Sequence, residues 1–182
     1  MMKHEIEIPE GIEASVENNI FIVKGPKGEL KRTFKDHNIV FKVESGKILL
    51  SSEINRKKTK AVLGTWCAHV RNMITGVNKG WKGELKIVYS HFPVKLKTDN
   101  NMLVIENFIG GRSPRTVPIP EDLKVEIKGT EIFVSGTDKE RVGQLCASIE
   151  QVTKVKGFDR RIFQDGAYIT KKPYAEGDQD GG

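Results

Sequence analysis

Cysteine is scarce in this sequence, and the two cysteines, Cys67 and Cys146, do not form the dense disulfide framework of a small secreted domain. The chain also lacks any run near the ~18 apolar residues that a bilayer-spanning helix requires. Its first residues carry acids where a secretory signal would carry an apolar core. These absences predict a cytoplasmic protein with no membrane partner.

Residues that could support catalysis or bind a metal are few and scattered. The four histidines have no metal-ligand spacing, and Gly25-Pro26-Lys27-Gly28 lacks the Lys-Ser or Lys-Thr ending of a nucleotide-binding loop. We therefore expect no catalytic residue, no metal, no cofactor and no small-molecule substrate. One enzymatic alternative stays open, a small cytosolic enzyme that uses the thiol of Cys67 or Cys146.

Positive charge is in excess, with a formal net charge of +6 and a pI of about 9.2. Such an excess favours a polyanionic partner. Residues 1–82 carry 15 basic and 9 acidic residues, whereas residues 83–182 carry 15 of each. Residues 154–172 nevertheless hold six basic and two acidic residues. By net charge alone the N-terminal half would be the nucleic-acid binder. Because binding responds to local charge within a Debye length of ~8 Å, we instead expect residues 154–172 to contact nucleic acid.

The sequence repeats itself, which predicts an internal duplication. The segment Ile8–Gly25 aligns without a gap with Ile119–Gly136, since both begin with Ile-Pro-Glu and end with glycine. A second match aligns Gly64–Ala68 with Gly143–Ala147. Chance does not readily produce two matches in the same order, so we expect two copies of one small domain.

The second match lies in two predicted amphipathic helices, near residues 56–75 and 138–154. Apolar residues recur in each helix at a spacing of 3.6 residues. The stripes consist of Leu63, Trp66, Cys67, Val70 and Met73, and of Val142, Leu145, Cys146, Ile149 and Val152. Thr137-Asp138-Lys139-Glu140 is typical of a capping box at the start of the second helix. Both cysteines lie on a stripe, which favours buried, unreactive thiols.

The pattern of strands before each helix predicts an α+β fold, in which an antiparallel β-sheet is covered by one amphipathic α-helix in each of two tandem domains. We expect domains at residues 1–80 and 81–175, a glycine-rich linker over residues 76–83, and a disordered acidic tail at residues 176–182. The predicted strands lie near residues 12–24, 29–34, 39–44, 47–52, 84–90, 94–98, 102–107, 122–135 and 167–170.

Two basic segments are candidates for RNA contact. In Gly110-Gly111-Arg112-Ser113-Pro114-Arg115, the glycines let a phosphate approach the backbone and the arginines can grip it with a planar fork. The second segment interleaves basic residues with aromatic ones, which suits phosphate contact combined with base stacking. Its candidate residues are Lys154, Lys156, Arg160, Arg161, Phe163, Tyr168, Lys171 and Lys172.

Three motifs in order resemble the L6 family of large-subunit ribosomal proteins in its archaeal and eukaryotic form. They are Val23–Leu30, which follows Ile8-Pro9, then Ser90-His91-Phe92-Pro93, and finally Asp159–Ile169. The resemblance extends over nearly the whole chain, from about Ile6 to Lys172. It implies two related α+β domains without catalytic activity.

The resemblance also implies a place of action and a set of contacts. It implies binding to large-subunit rRNA, mainly through the C-terminal domain, near the sarcin–ricin loop where translational GTPases dock, with other large-subunit proteins as neighbours. Carried over by position, the rRNA contacts are Arg112, Ser113, Arg115, Lys156, Arg160, Arg161, Lys171 and Lys172. An RNA-binding module that acts away from the ribosome remains an alternative.

Overall fold

The computed structural model describes residues 2–17, 19–35, 39–44, 46–54, 56–159 and 161–177. The predictions for Arg160 and for the tail after residue 177 lie outside the described residues. The chain divides into two compact units, Met1–Gly80 and Trp81–Gly182. Each unit has its own cluster of buried apolar side chains.

The N-terminal unit combines six strands with one helix within the described residues. The elements are β1 (Met2–Glu7), β2 (Glu13–Glu17), β3 (Ile20–Gly25), β4 (Gly28–Thr33), β5 (Val40–Glu44), β6 (Lys47–Ser52) and α1 (Lys57–Asn78). The strands form two antiparallel sheets in the orders β2-β3-β4 and β1-β6-β5. Helix α1 packs against β1, β3, β4 and β6.

The C-terminal unit repeats this plan and adds a strand. Its elements are β7 (Trp81–Val88), β8 (Lys95–Asp99), β9 (Met102–Glu106), a 3-10 turn (Phe108–Gly110), β10 (Arg115–Pro118), β11 (Leu123–Lys128), β12 (Glu131–Gly136), α2 (Lys139–Val152) and β13 (Gly166–Ala175). The antiparallel sheets have the orders β10-β9-β8 and β11-β12-β7-β13. Helix α2 packs against β7, β10, β12 and β13.

The predicted fold class, two tandem α+β domains, is confirmed. The five residues of the first predicted stripe are all buried on α1, and four of the second are buried on α2. Val152 is only partly buried because it lies at the last residue of α2. The 3.6-residue spacing therefore identified the faces that the helices bury.

The duplication is real, but the first of the two sequence matches was out of register. Both units place three strands in one meander, then a hairpin and then the helix, so that β2-β3-β4 corresponds to β8-β9-β10 and β5-β6 to β11-β12. The segment ending at Gly25 is β3, whereas the segment ending at Gly136 is β12, the counterpart of β6. The helix match between Gly64 and Gly143 agrees with this topology. The match misled because Ile-Pro-Glu and a single glycine are short signals that can flank more than one hairpin of the same domain.

The glycine-rich segment 76–83 is not a linker. Gly76 is buried in the last turn of α1, and Trp81 already begins β7. A Cβ atom on Gly83 would lie 2.8 Å from the Sγ atom of Cys146. Gly83 therefore allows α2 to approach β7 closely, and its role is packing instead of flexibility.

Three local predictions need correction. The first capping residue of α2 is Asp138, whose side chain accepts a hydrogen bond from the Glu140 N–H, instead of Thr137. The predicted strands 12–24 and 122–135 are each a hairpin, turned by residues with positive φ, Asn19 and Gly129. Strands β1 and β10 were not predicted. Most residues of β1 are charged or polar, so it has little apolar alternation, and β10 is only four residues long.

Candidate nucleic-acid interface

The end of helix α2 is fastened to β10 by Arg115. The Nη1 group of Arg115 donates hydrogen bonds to the carbonyl oxygens of Val152 and, at 3.4 Å, of Lys154. The guanidinium carbon also lies 4.2 Å from the centre of the Phe108 ring. The last carbonyls of a helix carry partial negative charge, which a guanidinium stabilises. Arg115 thus has a structural role, and only its remaining N–H groups could reach a phosphate.

Partial burial has an electrostatic consequence for Arg115. It lowers the pKa of the guanidinium, because the charged form is less well solvated there. Its neighbours Arg112 and Ser113 are exposed in the same loop. The structure therefore divides the predicted loop into one residue that anchors it and others that face solvent.

A cavity of about 280 Å³ lies where α2 ends and β13 begins. It brings together three residues predicted from the second basic segment, Lys154, Phe163 and Tyr168. Thr153 closes one side, since its Oγ1 accepts a hydrogen bond of 2.9 Å from the Ala167 N–H. Lys154 and Tyr168, which are 14 positions apart in the sequence, therefore line the same cavity.

The Ser90-His91-Phe92 segment connects the two predicted basic segments. The Ser90 N–H and Oγ–H both donate to the Oδ1 atom of Asp165, at 3.1 and 2.9 Å. The ring of His91 lies 5.1 Å from the ring of Phe163. On the other side, a Cβ on Gly110 would lie only 3.1 Å from the Phe92 ring, so the arginine loop packs directly on that ring. The family-like motif around Ser90 thus joins both segments into one surface.

Serine, histidine and aspartate meet here, but not in the order of a nucleophilic triad. In such a triad the histidine lies between the other two and takes the serine proton. Here the Ser90 hydroxyl donates its hydrogen bond to the buried carboxylate of Asp165 instead of to the histidine. The Nδ1 atom of His91 lies 3.0 Å from Ser90 Oγ. The Oδ2 atom of Asp165 has no hydrogen-bond partner among the described residues. The arrangement orients the His91 ring and leaves no activated serine.

A tight turn carries Arg161 outward. The Asp159 side chain accepts a hydrogen bond of 2.9 Å from the Arg161 N–H. The Asp159 carbonyl accepts further bonds from the N–H groups of Ile162 and Phe163. Arg161 and Lys156 are exposed. Residues 154–172 hold six basic and two acidic residues, so basic side chains outnumber acidic ones in this segment.

Lys171 lies apart from the residues that surround the cavity. It is opposite Glu84 in the β7–β13 pairing and forms an ion pair of 3.7 Å with it. Since Gly83 and Leu85 are buried, strand alternation places Glu84 and Lys171 on the sheet face away from α2. The Tyr174 hydroxyl also donates a hydrogen bond to Glu84. Burial, and to a smaller extent this bond, raises the pKa of Tyr174 to about 12. Lys172 is exposed on the same strand.

Sequence reasoning missed three residues of this surface, His91, Phe92 and Phe158. Phe158 is 50% exposed and its ring lies 4.9 Å from that of Phe163. The aromatic character of all three was visible in the sequence, next to the basic segments. Their common location was not, because it depends on the pairing of β7 with β13.

The thiols offer no nucleophile at this surface. Cys146 is fully buried, and burial raises its pKa to about 11. Burial also raises the pKa of Cys67. Within the described ranges, no three His, Cys, Asp or Glu side chains are grouped as they would be to hold a metal ion. No helix in that part of the chain is long and apolar enough to cross a membrane.

Comparison with known proteins identifies the family. The residues 8–80 and 92–166 both match the family described as ribosomal protein L6. A protein named large ribosomal subunit protein uL6 from Methanosarcina mazei is 47% identical over 92% of this chain and 95% of its own length. Proteins of the same name from Methanobrevibacter smithii and Methanothrix thermoacetophila are 46% and 45% identical, over 94% and 92% of this chain and 96% and 95% of their own lengths.

These findings decide between the two classes of protein considered from the sequence. The relatives are ribosomal proteins and not enzymes, so the thiol-enzyme alternative is wrong and the predicted resemblance is confirmed. The family match in two separate segments also agrees with the two repeated domains of the fold. The chain belongs to the ribosomal protein L6 family.

Proposed function

We propose that this chain is a structural component of the large ribosomal subunit in the cytoplasm, where its C-terminal unit binds large-subunit rRNA. The observation that carries the proposal is the joining of two basic segments into one surface by Ser90–Phe92, because Ser90 bonds to Asp165 and the Phe92 ring packs on Gly110. Its contacts would be Arg112, Ser113, Arg115, Lys154, Lys156, Arg160, Arg161, Phe163, Tyr168, Lys171 and Lys172. Neighbouring ribosomal proteins and rRNA are its partners.

We place the rRNA contact near the sarcin–ricin loop, beside the docking site of translational GTPases. The deep groove of A-form RNA hides base edges, so a folded protein holds such helices by shape and phosphate contact. Exposed cations on tight turns serve this purpose, and Arg161 on the Asp159 turn is the clearest example. The protein would act by fixing the position of rRNA helices and not by chemistry.

The N-terminal unit offers a rival surface. Helix α1 begins with exposed cations, has no side-chain cap and has no acid in its first turn. Those cations, Arg56, Lys57, Lys58 and Lys60, oppose the helix dipole. Among the residues that the structure describes, they have no exposed aromatic ring beside them of the kind that the C-terminal surface has. We therefore favour the C-terminal surface as the main rRNA contact.

Salt dependence tests which unit binds. The double variant Lys156→Ala/Arg161→Ala removes two exposed cations, so the slope of log affinity against log salt should flatten by roughly one to two units. Affinity for a large-subunit rRNA fragment at moderate salt should fall about 10–100-fold. The control Lys27→Ala/Lys31→Ala changes the net charge equally in the N-terminal unit. A larger loss in that control would move the main contact to the N-terminal unit.

Chemical footprinting tests the location on rRNA. Large subunits reconstituted with and without the protein should differ in reactivity at the sarcin–ricin loop and its flanking helices. Protection confined to other rRNA helices would contradict the proposed location while leaving rRNA binding intact. Free protein that binds RNA but never sediments with large subunits would favour the module that acts away from the ribosome.

A further inference from the structure

Exposed apolar side chains of the C-terminal unit are concentrated at one end of its larger sheet. All of its large apolar side chains that the structure shows as exposed fall within residues 88–92 and 158–168. They are Val88, Tyr89, Phe92, Phe158, Ile162 and Tyr168, with 40–64% of each exposed. The pairing of Val88 with Gly166 brings the two stretches together. Such a concentration marks an interaction site and not a random scatter.

Three aromatic rings form a row at the centre of this region. The Phe163 ring has His91 at 5.1 Å with 34° between the ring planes, and Phe158 at 4.9 Å with 49°. These separations are typical of favourable aromatic pairs. Phe163 is partly buried, but His91 and Phe158 are exposed. The row therefore has exposed rings that a further flat ring could contact.

The backbone around the row is held in place by local bonds. Ser90 is anchored to Asp165 and lies 3.0 Å from the His91 Nδ1 atom. Gly157, with φ of +81°, sets the turn before Phe158, and Asp159 forms the next turn. A ligand would find these rings already positioned. Preorganisation of this kind lowers the entropic cost of binding.

The charges beside the row decide between a nucleic acid and a protein as its occupant. Lys156 and Arg161, both exposed, lie in the chain on either side of Phe158. Asp159, the acid next to Phe158, is also exposed and accepts a hydrogen bond from the Arg161 N–H through its Oδ1 atom. Two exposed cations therefore stand against one carboxylate beside the ring. Exposed aromatic rings flanked by cations match the base and phosphate of an unstacked nucleotide. A purely apolar partner would leave both cations without an opposite charge, whereas RNA supplies a phosphate for each.

We propose that the exposed face of Phe158 stacks on an unpaired RNA base, while Lys156 and Arg161 contact the adjoining phosphates. The inference rests on the proposed rRNA-binding function and adds the class of RNA element, a base extruded from its helix. It also assigns a binding role to Phe158, with His91 and Phe163 as the rings that support it. Phosphate contacts alone would be enough to bind a duplex. An exposed aromatic ring can stack on a base only where that base is unpaired and accessible.

The test compares single-stranded with double-stranded RNA. The full-length protein is titrated with an RNA oligonucleotide of about eight unpaired nucleotides carrying 2-aminopurine, and with a duplex of the same sequence. Phe158→Leu should lower affinity for the unpaired RNA about tenfold, with loss of the 2-aminopurine quenching that stacking causes. Affinity for the duplex should stay unchanged, and Phe158→Tyr should bind like the parent protein.

Ile162→Ala is the matched control, because Ile162 is 64% exposed in the same turn but has no ring. It should leave binding to both RNAs unchanged. If Ile162→Ala lowers affinity as much as Phe158→Leu, the surface recognises apolar area and the stacking proposal is overturned. If Phe158→Leu binds unpaired RNA normally, stacking is also overturned, although salt-dependent duplex binding would still support the proposed function. A parent protein that binds neither RNA would overturn the proposed function itself.

Discussion

The carboxylate of Asp165 accepts two hydrogen bonds from Ser90, a residue 75 positions earlier in the chain. This link fastens the end of β7 to the start of β13. Asp165 is only 2% exposed, whereas Ser90 is exposed, so the two bonds are shielded from water on the Asp165 side.

We expect Asp165→Ala to lower the free energy of unfolding by about 1–3 kcal/mol, because both Ser90 donors lose their acceptor. Ser90→Ala removes only the hydroxyl bond and should cost about 1 kcal/mol. Urea titration of both variants measures the difference. Equal stability of Asp165→Ala and the parent protein would show that the link contributes nothing.

Gly83 and Cys146 should behave as a coupled pair. Gly83→Ala places a Cβ 2.8 Å from the Cys146 Sγ atom, so the variant should lose about 1–3 kcal/mol through overpacking. Cys146→Ala alone should cost on the order of 1 kcal/mol. The double variant should be more stable than the sum of the single losses predicts, because the missing sulfur makes room for the new methyl group. Additive losses would contradict the contact.

Substitutions at Arg115 and Arg112 should have different effects, because Arg115 has a structural role and Arg112 is exposed. Arg115→Ala removes the bonds to the end of α2 and should lower the free energy of unfolding by about 1–3 kcal/mol. Arg112→Ala should change stability by less than about 0.5 kcal/mol and lower rRNA affinity. Thermal unfolding and RNA titration at one salt concentration measure both effects. A stability loss from Arg112→Ala would show that the loop depends on that side chain too.

Tyr174 should make the protein sensitive to alkali. Its pKa in the folded protein is raised from the ordinary 10.0 to about 12, so folding favours the neutral phenol. The resulting stability is fully present below pH 10.0 and is lost as the pH rises towards about 12. Tyr174→Phe should flatten this decline in urea titrations across that range. An identical decline in the variant would assign it to other groups.

Fragment boundaries should matter at β7. A fragment of residues 81–182 retains the whole of β7 and should fold by itself, as should residues 1–80. A fragment of residues 84–182 loses buried Trp81 and Gly83 from the strand that pairs with both β12 and β13. It should show the narrow amide dispersion of an unfolded chain in NMR spectra. Equal dispersion of the two C-terminal fragments would show that residues 81–83 are dispensable.

The amino-acid sequence by itself determined the features that depend on neighbouring residues. The stripes that include Cys67 and Cys146 are buried as their spacing predicts, because an α-helix repeats its faces every 3.6 residues. The strands between Glu13 and Ser52 were located to within a few residues, except that the prediction of one strand at residues 12–24 merged β2 and β3. The basic character of residues 154–172 is also a property of composition.

Only the tertiary structure decided which distant residues meet. The link between Ser90 and Asp165, and the row of His91, Phe163 and Phe158, depend on the register of β7 against β13. Local periodicity does not encode that register, because it indicates which face a residue occupies and not which strand lies beside it. For the same reason Lys171 is separated from the cavity and Arg115 is bound to the end of α2. The sequence specifies these contacts only through the folding of the whole unit, where burial of its apolar faces selects one arrangement of strands.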